Sequence, residues 1–342
     1  MRVLVTGHQG YLGTVMVPVL TAAGHEVTGL DSGLFADCIL GSAPADPPTI
    51  PVDLRDVTVE HLAGFDAVIH LAALSNDPLG ALAPQITYDV NHHASTRLGR
   101  LAKEAGVRRF LYASTCSVYG SAGADLVTEA APLRPLTPYA ESKVRVEDDL
   151  IRMADGDFSP VFLRNATAFG FSPRLRADIV LNNLTGYAVL TGEVRVLSDG
   201  TPWRPLVHAR DIADAFLLAL EAPTASVHCA AYNVGAEANN VTVAEIAQAV
   251  VDVVPGSRLM ITGETGADPR SYRVDFSAIR SALGYRAQWS VADGAAELYR
   301  HYLDAGLTEN GFTNTFTRLS RLSALRTDGA VDDSLRRVRA DA

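Results

Sequence analysis

The first half of the chain alternates short, unbroken apolar runs with longer stretches in which apolar residues recur every three to four positions. The runs are RVLVTG (2–7), HEVTGLD (25–31), AVIHLAA (67–73), RFLYAST (109–115) and PVFLRNA (160–166). They are rich in Val, Leu and Ile, as expected of strands covered on both faces. Between them, YLGTVMVPVLTAAGH, NHHASTRLGRLAKEAGV and PYAESKVRVEDDLIRMA carry helical periodicity. This alternation predicts a parallel sheet with right-handed crossovers, an α/β, Rossmann-type doubly wound fold.

After about residue 166 the regularity loosens. The pattern predicts a helix around Ile179–Leu190, a strand around Val194–Leu197, a helix over VHARDIADAFLLALEAP (207–223) and a strand at AAYNVG (230–235). Helices then alternate with an ITGE strand over 241–303. The chain is therefore expected to leave the sheet domain, return to it and leave again. Residues 1–166 plus 205–236 form the larger domain, and 167–204 plus 237–305 a smaller C-terminal substrate-binding lobe. An Arg-rich extension over 306–342, helical or partly disordered, has no role that can be read from its residues.

Composition narrows the class. The 342 residues are 48% hydrophobic and 20% charged, ordinary for a globular protein with a sizeable core. A net charge of −10 argues against nucleic acid or an anionic membrane as the main partner. Cys38, Cys116 and Cys229 are odd in number and widely spaced, which fits no disulfide framework and points to a reducing, cytoplasmic setting. Met1 runs straight into the first strand, so no secretory signal is expected, and no stretch of eighteen apolar residues predicts a membrane span. No His/Asp/Glu cluster suggests a metal.

The chemistry begins in the loop after the first strand, Gly7-His8-Gln9-Gly10-Tyr11-Leu12-Gly13. Gly7 allows a sharp turn, Gly10 lets backbone approach a pyrophosphate, and Gly13 lets the next helix pack closely on the strand. The helix N-terminus offers N–H groups and a positive dipole to phosphates. The second strand ends at Asp31, where a carboxylate meets ribose hydroxyls and repels a 2′-phosphate. The glycine loop holds no basic residue to offset that repulsion, so NAD is expected over NADP. Asp53 and Leu54 are placed to meet the adenine edge.

Tyr139 and Lys143 stand four residues apart on a predicted helix and share one face. A phenol with a pKa near 10 is a poor base at neutral pH, and an ammonium one turn away favours the phenolate. Ser114-Thr115-Cys116-Ser117 closes the fourth run, at the carboxyl end of a parallel strand, where ligands gather. Together these segments resemble the extended short-chain dehydrogenase/reductase family, and within it the nucleotide-sugar epimerase/dehydratase group. The resemblance covers roughly residues 1–305.

It implies NAD as cofactor and a nucleotide-diphosphate sugar as substrate. HLAA, with Leu71, Ala72 and Ala73, is similar to the family's strand motif beside the cofactor, and Asn91 falls at its cofactor-side Asn. Tyr139 and Lys143 match the catalytic pair, and Thr115 the catalytic Ser or Thr. On the substrate side the resemblance implies Asn165 in LRNATAFG, Asn183 in Asn182-Asn183-Leu184, and Arg204 in the segment running to His208 and Asp211. It adds Arg270, in an uncertain register, Ser75 and Asn76 in the SNDPLG loop, and Cys116 beside Thr115. Dehydratases of the group carry Asp-Glu after the Thr, where this chain has Cys116-Ser117, so 4-epimerisation through a transient 4-keto sugar is the expected reaction. A 4-ketoreductase, a 4,6-dehydratase and a non-catalytic NAD-binding sensor remain the alternatives. The helical stretches around 91–107 and 138–154 resemble the pair that family members pack across a two-fold axis, which implies a homodimer.

Overall fold

The computed structural model describes residues 1–75, 84–121, 125–264 and 271–338. Its central sheet contains Arg2–Thr6 (β1), Glu26–Asp31 (β2), Thr49–Pro51 (β3), Ala67–His70 (β4), Arg109–Thr115 (β5), Ser159–Asn165 (β6) and Ala231–Val234 (β7). All neighbours are parallel, in the order β7-β6-β5-β4-β1-β2-β3. Strand order reverses between β1 and β4, and the crevice above their carboxyl ends is the place where doubly wound sheets bind ligands.

Alternation along the strands sends side chains to two covered faces. Val3, Val5, Ile69, Leu111 and Val161 pack with Met16 and Leu20 of Tyr11–Ala22 (α1) and Phe216 of Ala209–Glu221 (α5). Leu4, Val68, Phe110 and Phe162 pack on the other face. Their partners include Leu98 of Ser95–Glu104 (α2) and Val146 and Leu150 of Pro138–Met153 (α3). Burial on both faces explains why these runs are apolar throughout. A further core joins Leu181 and Leu184 of Val180–Thr191 (α4), Ile246 and Val250 of Val243–Val253 (α6), and Leu298 and Tyr302 of Val291–Asp304 (α7).

Several boundaries differ from expectation. The stretch 207–223 opens as the end of a strand, Trp203–His208, and the helix begins only at Ala209, with the His208 side chain accepting from the Arg210 N–H. The expected ITGE strand is Arg258–Ile261, paired parallel with Glu193–Val196. Its largely exposed residues leave little apolar pattern to fix a boundary. The three-residue edge strand β3, next to Pro47 and Pro48 and ending at Pro51, is too short and proline-rich to show as an apolar run. The helix preceding β5 carries a π-helical segment, Tyr88–Ala94, between an α-helical turn, Pro84–Thr87, and α2. Within the Arg-rich extension Arg318–Thr327 forms a helix (α8), and the chain then folds back so that Leu322, Leu325, Val331 and Leu335 enclose a small core with Leu74. Among the described residues no helix is long and apolar enough to cross a membrane.

Candidate active site

A cavity of about 610 Å³ opens at the switch point. Its floor is the glycine loop. Gly7 has φ +75°, and a Cβ there would stand 2.7 Å from the Ala72 N. A Cβ on Gly13 would meet the Gly7 O and the His8 Cα at 2.4 Å. Both glycines are thus required by backbone contact with the loop after β4 and by close approach of α1. Gly10 precedes α1 without a side-chain cap, so N–H groups of the first turn remain available to a ligand.

Asp31 spans the end of β2. One carboxylate oxygen accepts from the Gln9 N–H at 3.0 Å, the other from the Gly33 N–H at 2.8 Å. It both fixes the glycine loop and lines the cavity. Asp53 and Leu54 line the same end, but Asp53 is held by Arg55, which donates from Nε at 2.9 Å and from Nη2 at 2.7 Å. Burial alone would raise the Asp53 pKa; the Arg55 bonds outweigh it and hold the carboxyl below its usual range.

The opposite end carries the candidate catalytic groups. Thr137 caps α3, accepting from the Ala140 N–H, with Pro138 in the first turn. The helix then presents Tyr139 and Lys143 to the cavity. The Lys143 Nζ donates to the Ala113 carbonyl at 2.7 Å and stands 5.7 Å from the centre of the Tyr139 ring. Burial pulls the Lys143 ammonium down to about 7, against the opposing pull of Glu147 one turn further along. Thr115, at the end of β5, lines the cavity and caps the next turn by accepting from the Ser117 N–H at 3.1 Å.

Gly7, Gln9, Gly10, Tyr11, Leu12, Gly13, Leu71, Ala72, Ala73, Ser75, Asn165, Asn183 and Arg204 also line the cavity. The Asn165 Nδ2 donates to the Ser114 carbonyl at 3.3 Å while its buried Oδ1 has no partner. The Asn183 Nδ2 is bound to the Ala177 carbonyl, 2.9 Å away. Two expected residues stand behind the wall instead of on it. Asn91 is buried, and its side-chain amide holds the backbone N–H and C=O of Leu74 at 2.8 and 3.0 Å, so it shapes the loop after β4. Cys116 is buried, its thiol facing the Arg164 carbonyl at 3.1 Å, and burial raises its pKa well above the ordinary thiol value. His208 and Asp211 are structural: the first pairs with Glu297, the second accepts from the Gln288 and Trp289 N–H groups. Asn76 and Arg270 lie outside the described residues.

Sequence reasoning missed Arg176, Asp178 and Arg318, all on the cavity wall. Arg176 forms a two-point pair with Asp178 at 2.8 and 3.1 Å and donates to the Ser75 Oγ at 3.0 Å. The clue was present in SPRLRAD, a basic-acidic cluster just beyond the Asn165 strand. No comparable local clue marks Arg318, which arrives from the far end of the chain.

The arrangement is a Rossmann-type dinucleotide site with a Tyr–Lys pair at its far end. The NAD-dependent epimerase/dehydratase family model matches residues 3–235, and the chain belongs to that family. The UDP-glucose 4-epimerase of Mycolicibacterium smegmatis is 31% identical over 310 residues, 87% of this chain and 97% of that protein. Among solved structures, MoeE5 in complex with UDP-glucuronic acid and NAD is 30% identical, with a TM-score of 0.76, covering 89% of this chain and all of that one. DesIV, a dTDP-glucose 4,6-dehydratase from Streptomyces venezuelae with NAD bound, is 27% identical with a TM-score of 0.78, covering 91% and 100%. NAD is the cofactor of this chain's family, and the uncapped first turn of α1, with the Asp31 carboxylate at the end of β2 lining the same cavity, fits it.

Proposed function

We propose that this enzyme is a nucleotide-sugar 4-epimerase in which Tyr139 is the base. The observation that carries the reading is the residue pair after Thr115. Cys116 is buried with its thiol on a carbonyl, and Ser117 bears no carboxyl, so the acid–base pair for eliminating water is missing from that turn. Of the described carboxylates on the cavity wall, Asp31 holds the glycine loop, Asp53 is tied to Arg55 and Asp178 to Arg176.

NAD, held by the glycine loop and Asp31, would supply the hydride acceptor and donor for the sugar C4. Tyr139 accepts the O4 proton as the carbonyl forms, and gives it back when the carbonyl is reduced. The Lys143 ammonium, anchored on the Ala113 carbonyl, favours the phenolate electrostatically. Thr115 orients the O4 hydroxyl. Asn165, Asn183 and Arg204 contact the nucleotide-sugar end, the Arg204 guanidinium suiting phosphate through its planar fork.

The test is isotopic. A substrate deuterated at C4 keeps its label at C4 in the epimerised product, with no net NADH consumed. Label carried to C6 would identify a dehydratase, stoichiometric NADH oxidation a ketoreductase, and tight NAD binding without turnover on any nucleotide sugar a sensor. The reading includes a homodimer through α2 and α3, and light scattering that gave a monomer mass at micromolar protein would remove that element of it.

A further inference from the structure

The C-terminal extension lies across the cofactor cavity. Leu322 and Leu335 line it, and the segment is tied down at several points on the loops after β2 and β3. Arg321 pairs with Asp37, and Arg336 with Asp56. Arg337 donates to the carbonyls of Ser32 and Gly33. From the other side, the Arg55 Nη1 donates to the Ser334 carbonyl at 2.8 Å.

At the start of α8, Arg318 enters the cavity wall. It is only 5% exposed, and its guanidinium stacks over the Phe35 ring at 4.3 Å. One nitrogen makes a long bond, 3.5 Å, to the Arg174 carbonyl, whereas the buried Nη1 has no partner at all. Nearby cations are already matched: Arg174 by Asp46, Arg176 by Asp178. Arg318 pairs with no carboxylate among the described residues. Arg174 also donates to the Thr14 Oγ1 in the first turn of α1, at 3.2 Å, so Arg318 and that turn share a neighbour, and Arg318 lines the same cavity as Gly10 and Tyr11 at the helix terminus. A buried guanidinium with an unused donor is costly unless an anion completes it.

We propose that Arg318 binds the diphosphate of NAD from the side opposite the glycine loop, and that the C-terminal extension is a strap that closes over the bound dinucleotide. The α1 terminus and the Arg318 fork then hold the diphosphate between them. The strap lengthens cofactor residence, since release requires the tethers to break. This inference rests on NAD as cofactor and stands or falls independently of the 4-epimerase reading.

The experiment uses full-length protein freed of bound dinucleotide, titrated with NAD, ADP-ribose, adenosine and UDP. Loss of one charge-assisted contact predicts that Arg318→Gln weakens NAD and ADP-ribose by about 10- to 100-fold and speeds NAD dissociation correspondingly, with adenosine and UDP unchanged. On wild-type protein, amide exchange across 318–338 should slow with ADP-ribose and stay unaltered with adenosine or UDP. That measurement decides the matter should the variant not fold. Unchanged ADP-ribose affinity, a parallel loss of adenosine affinity, or a loss confined to UDP would each overturn the proposal, as would a strap whose exchange ignores ADP-ribose.

Discussion

The two walls of the cofactor cavity are built by different means. The glycine-loop wall is backbone: short sheet strands, Gly7 and Gly13 at contact distance, and one carboxylate, Asp31, accepting two main-chain N–H groups. The strap wall is side chains: arginines reaching carboxylates and carbonyls, over a small apolar patch around Leu74, Leu322 and Leu335. Backbone packing tolerates no added atom and gives little. Exposed ion pairs contribute little apiece and can break singly. The first wall therefore sets geometry, and the second sets how long a ligand stays.

The contrast is sharpened most strongly from the catalytic end of the first wall. Tyr139→Phe keeps the ring and removes the ionisable oxygen, so turnover should fall about a thousandfold while calorimetric binding of NAD and nucleotide sugar persists. Parallel loss of binding would show that the ring, not the proton, was the essential feature. Next in size is Gly13→Ala. With a Cβ forced to 2.4 Å from the Gly7 O, urea unfolding should show about 2–3 kcal/mol of lost stability, together with weakened NAD binding. A neutral result would mean that this wall yields as readily as the strap.

Lys143 gives a pH signature. Its ammonium is lowered to about 7 by burial, from an ordinary value near 10.5 when unfolded. Between these values the unfolded chain binds a proton that the folded chain does not, so this group makes stability rise with pH from about 7 upward. Wild type minus Lys143→Met, compared by urea unfolding from pH 7 to pH 9, should show that rise with a slope of up to about 1.4 kcal/mol per unit. A flat difference would refute it. At the small end, Arg336→Ala removes a half-exposed pair with Asp56 and should cost no more than about 1 kcal/mol in the same assay, while NAD dissociation quickens severalfold. An effect on stability as large as that of Gly13→Ala would erase the distinction between the walls.

Legibility in the sequence followed the same division. Strands buried on both faces announced themselves, because nothing polar could be tolerated at Leu4, Val68 or Phe110. The glycine loop and the Tyr139–Lys143 spacing were readable because each lies within one turn or one loop. Asn91 and Cys116 adjoin the site in sequence, yet whether a side chain faces a cavity or the layer behind it depends on packing that local spacing does not encode. The strap was invisible for a further reason. Its arginines look like any solvated polar tail until the partners at Asp37, Ser32 and Asp56 are brought to them by the fold, some 280 to 305 residues away in sequence.

That separation has a consequence for how the protein is made. Synthesis proceeds from the N-terminus, and early segments begin to organise before later ones emerge. The glycine loop leaves the ribosome well before the strap, which lies far downstream in the chain. A nascent chain thus presents an open nucleotide groove until the strap emerges, and the groove acquires its roof only then.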